Sequence, residues 1–242
     1  MKDKDEEIQR ILASMPDKFA VMEEGIDIET QEEYIELSHS YGEGELTEQE
    51  TIKLGSLLCS NIPIEGKKRV LSLLAHLGTV TAFRQIEYYC KSPDVELKKW
   101  ALLALRECRM FLENSLDDEN NGFIISGMGG IGDKMRIYFF VLPLMEQPFT
   151  SLQKDTIRDE YSILCKEYNS VIETFYYSDN YVGLTILIPF DVAIATIIDN
   201  GIKKCNELGA FVLEQYYVTN MGVPDESEIP NIIRIVMEGE PE

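Results

Sequence analysis

Residues 123–140 read FIISGMGGIGDKMRIYFF, and within them Gly127, Gly129 and Gly132 fit the spacing G-x-G-x-x-G. In a dinucleotide-binding loop that spacing lies between a strand and a helix, so that a pyrophosphate sits on the helix N-terminus. Beyond Gly132 the chain continues Asp133-Lys-Met-Arg-Ile-Tyr-Phe-Phe, which lacks helical periodicity and leads into a strand over Ile137–Val141. An acidic ribose ligand about twenty residues further on is also missing in the right context, because Glu146 precedes Pro148 in a loop. The stretch therefore reads as a strand (123–126), a glycine loop and a second strand, with glycine filling positions of positive φ. Met128 and Ile131 are apolar side chains inside that loop, so they dock on the rest of the chain or meet a partner. Gly129 and Gly130, with Lys134 or Arg136 adding charge, offer the alternative of an anion nest.

Downstream of this arm, apolar runs rich in β-branched and aromatic residues alternate with helical patterns. Thr150-Ser-Leu-Gln153 spells a capping box that starts a helix to about residue 168. Val171–Tyr177 and Val182–Ile188 read as strands joined by Ser-Asp-Asn. Asp191 reads as the cap of a helix that Gly209 stops, and Phe211–Val218 as the last strand. Ile232–Val236 is one more short apolar run, read as an edge strand. The order βαββαβ over about 135–218 resembles a ferredoxin-like sandwich by topology alone, with an extra strand ahead of it. Such a sandwich leaves one sheet face open, which would put Tyr138, Phe140, Tyr176 and Tyr216, or their alternate neighbours, at an interface.

Upstream, LDDENNG (116–122) is a polar, acidic linker and the best candidate boundary between two domains, 1–118 and 121–242. Thr30-Gln-Glu-Glu33 and Thr47-Glu-Gln-Glu50 both spell capping boxes, predicting helices from about 31 and 48 with a loop at Gly42-Glu-Gly44 between them. Leu54, Leu57 and Leu58, then Val70, Leu73, Leu74 and Leu77, then Val80, Phe83, Ile86 and Cys90 mark successive helices. Gly78 ends the second of these, and Ser92-Pro93-Asp94 caps a further helix over about 94–114. KKRVLSLLAHL (67–77) lies over KKWALLALREC (98–108) at an offset of 31. This echo resembles HEAT-like helical repeats across about residues 48–114. Two units are fewer than the three or so such stacks need, so flanking elements must complete the core. Some HEAT-like stacks bind DNA, which directs attention to Lys67, Lys68, Lys98, Lys99 and Arg106 as a basic contact face. Pairing of that face with Glu65, Asp94 and Glu96 is the plainer account.

The net charge is −21, and it is unevenly spread. Residues 1–50 hold 4 basic and 16 acidic side chains (−12), 51–120 hold 10 and 9 (+1), and 121–242 hold 8 and 18 (−10). Most of this surface would repel a phosphate backbone, so nucleic acid is a disfavoured partner. Five scattered cysteines and the isolated His39 and His76 offer no paired ligand spacing, and no metal or other cofactor is expected. No G-x-S-x-G, H-E-x-x-H or nucleophile–histidine pairing nominates a catalytic residue. MKDKDEEIQR has no apolar segment after its basic start, and no apolar run is long enough to span a bilayer. The expectation is a cytoplasmic, two-domain α+β protein acting as a non-enzymatic protein-binding or adaptor module, with itself among the candidate partners. The alternatives are an anionic-ligand sensor using Gly127, Met128, Gly129, Gly130, Ile131, Gly132 and Lys134, or nucleic-acid binding through the lysines.

Overall fold

A computed structural model describes residues 16, 18–38, 46–117, 120–145 and 147–238. His39 and the Gly42–Gly44 loop lie outside the described residues. The fold is α+β and divides into two compact units. One holds Ile26–Ile124 with the stretch ending at Phe19, and the other holds Ala20–Gly25 with the chain from Ile125 onward.

The first unit is built from helices Ile28–Ser38 (α1), Glu48–Ser56 (α2), Ile64–Leu77 (α3), Val80–Cys90 (α4) and Lys98–Asp117 (α5). Thr47 caps α2 through a complete capping box with Glu50, because both halves of that exchange are local. The Thr30 box does not form. Asp27 captures the Thr30 N–H at 2.9 Å and starts α1 three residues earlier than the box predicts. Gly78 closes α3 in a left-handed conformation. The Ser92-Pro93-Asp94 signal leads into a 3₁₀ turn, Val95–Leu97, and α5 begins only at Lys98. The Asp94 side chain makes no cap bond and turns instead to Lys67 and Tyr89. α5 packs against both α3 and α4, burying Leu71, Leu74, Ile86, Trp100, Leu103 and Cys108.

Of the stretch read as a linker, Leu116 and Asp117 lie in the last turn of α5, Asp118 and Glu119 lie outside the described residues, and Asn121–Ile124 (β2) pairs with Lys18–Val21 (β1) in a separate two-stranded sheet. The strand ahead of the glycine loop therefore does not form the arm expected for the second domain. The partner of the long strand across the loop is Gly130–Ile131 (β3), pairing with the start of Lys134–Pro143 (β4).

In the second unit β4 is joined by Val171–Tyr177 (β5), Val182–Pro189 (β6) and Val212–Thr219 (β7). These four strands run in the order β7-β4-β6-β5, every neighbouring pair antiparallel. Helices Ser151–Glu167 (α6) and Ile194–Glu207 (α7) cover one face, over Ile137, Phe139, Val141, Leu184 and Ile186. α6 begins with the complete Thr150–Gln153 box, whereas α7 begins after Ala193 without a side-chain cap, so Asp191 sits in the preceding turn.

The opposite face is not open. Residues Ile229–Glu238 form a helix (α8), not an edge strand. Its Ile229, Ile232, Ile233 and Val236 have the spacing i, i+3, i+4, i+7, which places all four on one helical face. They pack on Tyr138, Phe140 and Leu142, with Tyr217 and Tyr181 alongside. Tyr216 faces the α6/α7 side and its neighbour Tyr217 faces α8, as the two-residue alternation of a strand requires.

Candidate functional site

The glycine loop is a crossing point of backbone. The Gly130 N–H donates to the Met22 carbonyl and the Val21 N–H to the Gly132 carbonyl, each at 2.7 Å, so Ala20–Gly25 is stitched alongside the loop. A side chain on Gly127 would meet the backbone of Met221 at 2.5 Å. Gly129 has φ +66°, and a side chain there would run into the Glu23 carbonyl. Glycine is needed here because three chain segments pass within backbone contact.

The groups that would make an anion nest already have partners. Gly130 donates to Met22, and Gly129 donates to Ser126 at 3.4 Å. Arg136 grips Glu173 through two bonds of 2.6 and 2.9 Å and donates to the Met128 carbonyl at 2.7 Å. Lys134 reaches Asn169 at 3.3 Å. The Met128 side chain packs against the aromatic cluster beneath α8, whereas Ile131 remains 51% exposed.

Of the lysines expected to line a basic face, three are neutralised by carboxylates of the first unit. Lys67 is buried against Asp94 at 2.6 Å, and the Tyr89 hydroxyl donates to the same oxygen, also at 2.6 Å. Lys68 meets Glu33 at 2.5 Å and Glu65 at 3.3 Å, with its ammonium 4.9 Å from the centre of the Trp100 ring. Lys99 bonds Asp27 at 2.9 Å and holds the Asp27 carboxyl well below the usual carboxylate range. Lys98, aligned with Lys67 in the internal echo, is exposed at the start of α5, so the echo does not extend to environment. The Arg106 guanidinium lies 5.9 Å from the centre of the Phe123 ring.

The cluster that sequence reading missed joins α1, α3 and α5. Glu107 is buried, accepting from the Tyr34 hydroxyl at 2.5 Å and from Ser38 at 2.9 Å, and His76 Nδ1 stands 3.7 Å away. Burial first, and the charge of Glu107 second, push the Tyr34 hydroxyl pKa well above its ordinary value. Tyr34 also stands edge-on to Trp100, centroids 5.1 Å apart. The sequence signal available was the run Lys68, Ser72, His76, three polar residues at i, i+4 and i+8 on one helical face.

The second unit carries a groove of about 570 Å³ between β7 and α8, lined by Tyr217, Val218, Ile232, Ile235 and Val236 among others. β7 pairs with β4 along one edge, and no strand among the described residues pairs along the other. Among the described residues no group of His, Cys, Asp and Glu could hold a metal ion, and no helix is long and apolar enough to cross a membrane.

No family model and no curated protein matches the chain. Among solved structures, that of a REP-associated tyrosine transposase bound to a REP hairpin aligns at 10% identity over 43% of this chain and 68% of that one. Its TM-score is 0.32, and a likeness of that size carries no argument about fold or function.

Proposed function

We propose that the protein is a non-enzymatic protein-binding module whose second unit takes an extended, basic and apolar segment of another protein along β7. The carrying observation is a strand edge that no described strand pairs with, beside an apolar groove in which Val218 and Ile235 are exposed. Strand addition supplies backbone hydrogen bonds, and alternate side chains of the added strand enter the groove. Charge favours a basic partner: between Lys204 and Arg234 the chain has no Lys or Arg and five acidic residues, Glu207, Glu214, Asp225, Glu226 and Glu228. The same charge acts against a second copy, which meets an acidic edge with its own.

A β7-β4-β6-β5 order with two helices on one face supports a ferredoxin-like sandwich, and the packing of α2 to α5 supports a HEAT-like stack. Four unpaired cysteines that are wholly or partly buried support a reducing, cytoplasmic setting. The ligand-sensor and nucleic-acid readings gain nothing from the geometry, because the loop amides and three of the lysines are already engaged.

A heptapeptide of alternating valine and lysine, titrated into the full chain and monitored by amide NMR shifts, tests the proposal. Shifts concentrated on β7 and α8, lost in Ile235→Lys with the fold intact, are expected. Shifts elsewhere or none would sink it, and concentration-dependent dimerisation in sedimentation velocity would name a second copy as the occupant instead.

A further inference from the structure

α1 is held to the first unit by one buried aromatic ring and a small set of polar bonds. It buries only Tyr34 and Ser38, and its Ile28 and Ile35 are 45% and 43% exposed. Among the described residues its attachments include Glu33 to Lys68, Tyr34 and Ser38 to Glu107, the Tyr34 ring against Trp100 and, just ahead of the helix, Asp27 to Lys99. Exposed or half-exposed ion pairs add little stability, and with few apolar atoms buried the helix is bound far more weakly than a core element. Ile26, fully buried immediately before Asp27, marks where a displaced α1 would hinge.

The seat beneath it is incompletely used. Ser72 and Trp100 are 0% and 2% exposed, yet Ser72 Oγ and Trp100 Nε1 find no hydrogen-bond partner among the described residues, nor does His76 Nδ1. Buried polar atoms in native interfaces are normally paired, so this seat has more hydrogen-bonding capacity than α1 draws on. Lys68, Ser72 and His76 line the α3 side of it, while Lys99, Trp100 and Glu107 come from α5. A fitting ligand brings carboxylates for the two lysines, acceptors for the indole and serine, and hydroxyl donors for Glu107.

We propose that the α3/α5 groove is a binding site for an acidic, hydroxyl-bearing helix of another protein, and that α1 is its resident, displaceable occupant. Partner binding is then competitive with α1 docking, and the affinity of the wild-type chain is reduced by the fraction of time the groove is filled. This surface is separate from the β7 edge and stands whether or not that edge binds a strand.

Trp100 is the only tryptophan, so its emission reports the groove directly. In Tyr34→Ala the emission shifts to the red as α1 leaves, and far-ultraviolet ellipticity falls by no more than one 11-residue helix contributes. A synthetic peptide of residues 26–38, IDIETQEEYIELS, reverses the shift and binds this variant at least about tenfold more tightly than wild type. A scrambled peptide of the same charge does nothing. If Tyr34→Ala fails to unfold cooperatively, Tyr34→Phe/Ser38→Ala, which removes the two hydrogen bonds to Glu107 and keeps a ring beside Trp100, gives the same readout. Unchanged Trp100 emission in the variant that folds, or no reversal by the peptide, overturns the proposal. Equal reversal by heparin or a single-stranded oligonucleotide also overturns it, because the groove would then be a general polyanion site.

Discussion

The ring of Tyr161 occupies the space in which a side chain on Gly201 would have to stand, and the tyrosine hydroxyl donates to the Ile198 carbonyl at 3.0 Å. α6 and α7 therefore cross at a glycine, with an aromatic ring closing the gap. Gly201→Ala forces the ring against its packed surroundings at a cost of about 1–3 kcal/mol, from which roughly 1 kcal/mol of improved helix propensity is to be subtracted. Urea denaturation should show a lower midpoint with an unchanged slope.

The cover formed by α8 should be cooperative with the sheet beneath it. Ile229 is buried against Tyr138 and Phe140, so Ile229→Ala should lose about 2–4 kcal/mol in chemical denaturation. Met237→Ala, at a half-exposed position beyond that contact, should cost under about 0.5 kcal/mol. Equal effects at the two sites would mean that α8 is not seated as described.

Within the glycine loop, backbone and side chain should respond in opposite ways. Gly129→Ala meets both a positive φ and the Glu23 carbonyl, and a loss of about 2 kcal/mol or more is expected. Ile131→Ala should change thermal stability by less than about 0.5 kcal/mol. Addition of nicotinamide or adenine nucleotides should leave the midpoint where it was.

Alkaline pH should destabilise the fold. Burial raises the Tyr34 and Tyr161 hydroxyls well above their ordinary value, and raises Cys90 and Cys165 to about 11 and Cys108 and Cys205 to about 12. Below about pH 8 both folded and unfolded chains keep these protons, so these groups add no pH dependence. From about pH 9 upward the unfolded chain releases protons that the folded chain retains, and the unfolding free energy falls with pH. Equilibrium unfolding between pH 8 and 11 should show that decline, with tyrosinate absorbance from the buried rings appearing together with loss of structure.

Thiol labelling reads the same burial differently. Cys59 is exposed, while Cys108, Cys165 and Cys205 are buried. Iodoacetamide at neutral pH should modify Cys59 first, and Cys108, Cys165 and Cys205 only after unfolding; mass spectrometry of the digested protein locates the adducts.

How far the molecule could be read from its sequence depended on the range of the interaction involved. The Thr47–Glu50 and Thr150–Gln153 boxes span three residues each and form as spelled. The Thr30 box failed for an equally local reason, since Asp27 stands where it can cap first. β4, β5, β6, β7 and the boundaries of α4 and α6 emerge from periodicity. Ile232–Val236 misled because β-branched residues outweighed the helical spacing that begins at Ile229, a position outside the apolar run. The bonds from Tyr34 and Ser38 to Glu107 span 73 and 69 residues, and no local pattern encodes such a pair. The glycine spacing was legible as backbone chemistry, but its cause is the passage of Ala20–Gly25, about a hundred residues upstream in the chain.

The cover of the aromatic face comes from one short segment beyond β7, the 10 residues Ile229–Glu238. Proteolytic cleavage between Thr219 and Ile229 therefore bares Tyr138, Phe140 and Tyr217 together and leaves one side of the sheet sticky. A single exposed peptide bond then separates a soluble second unit from an aggregating one.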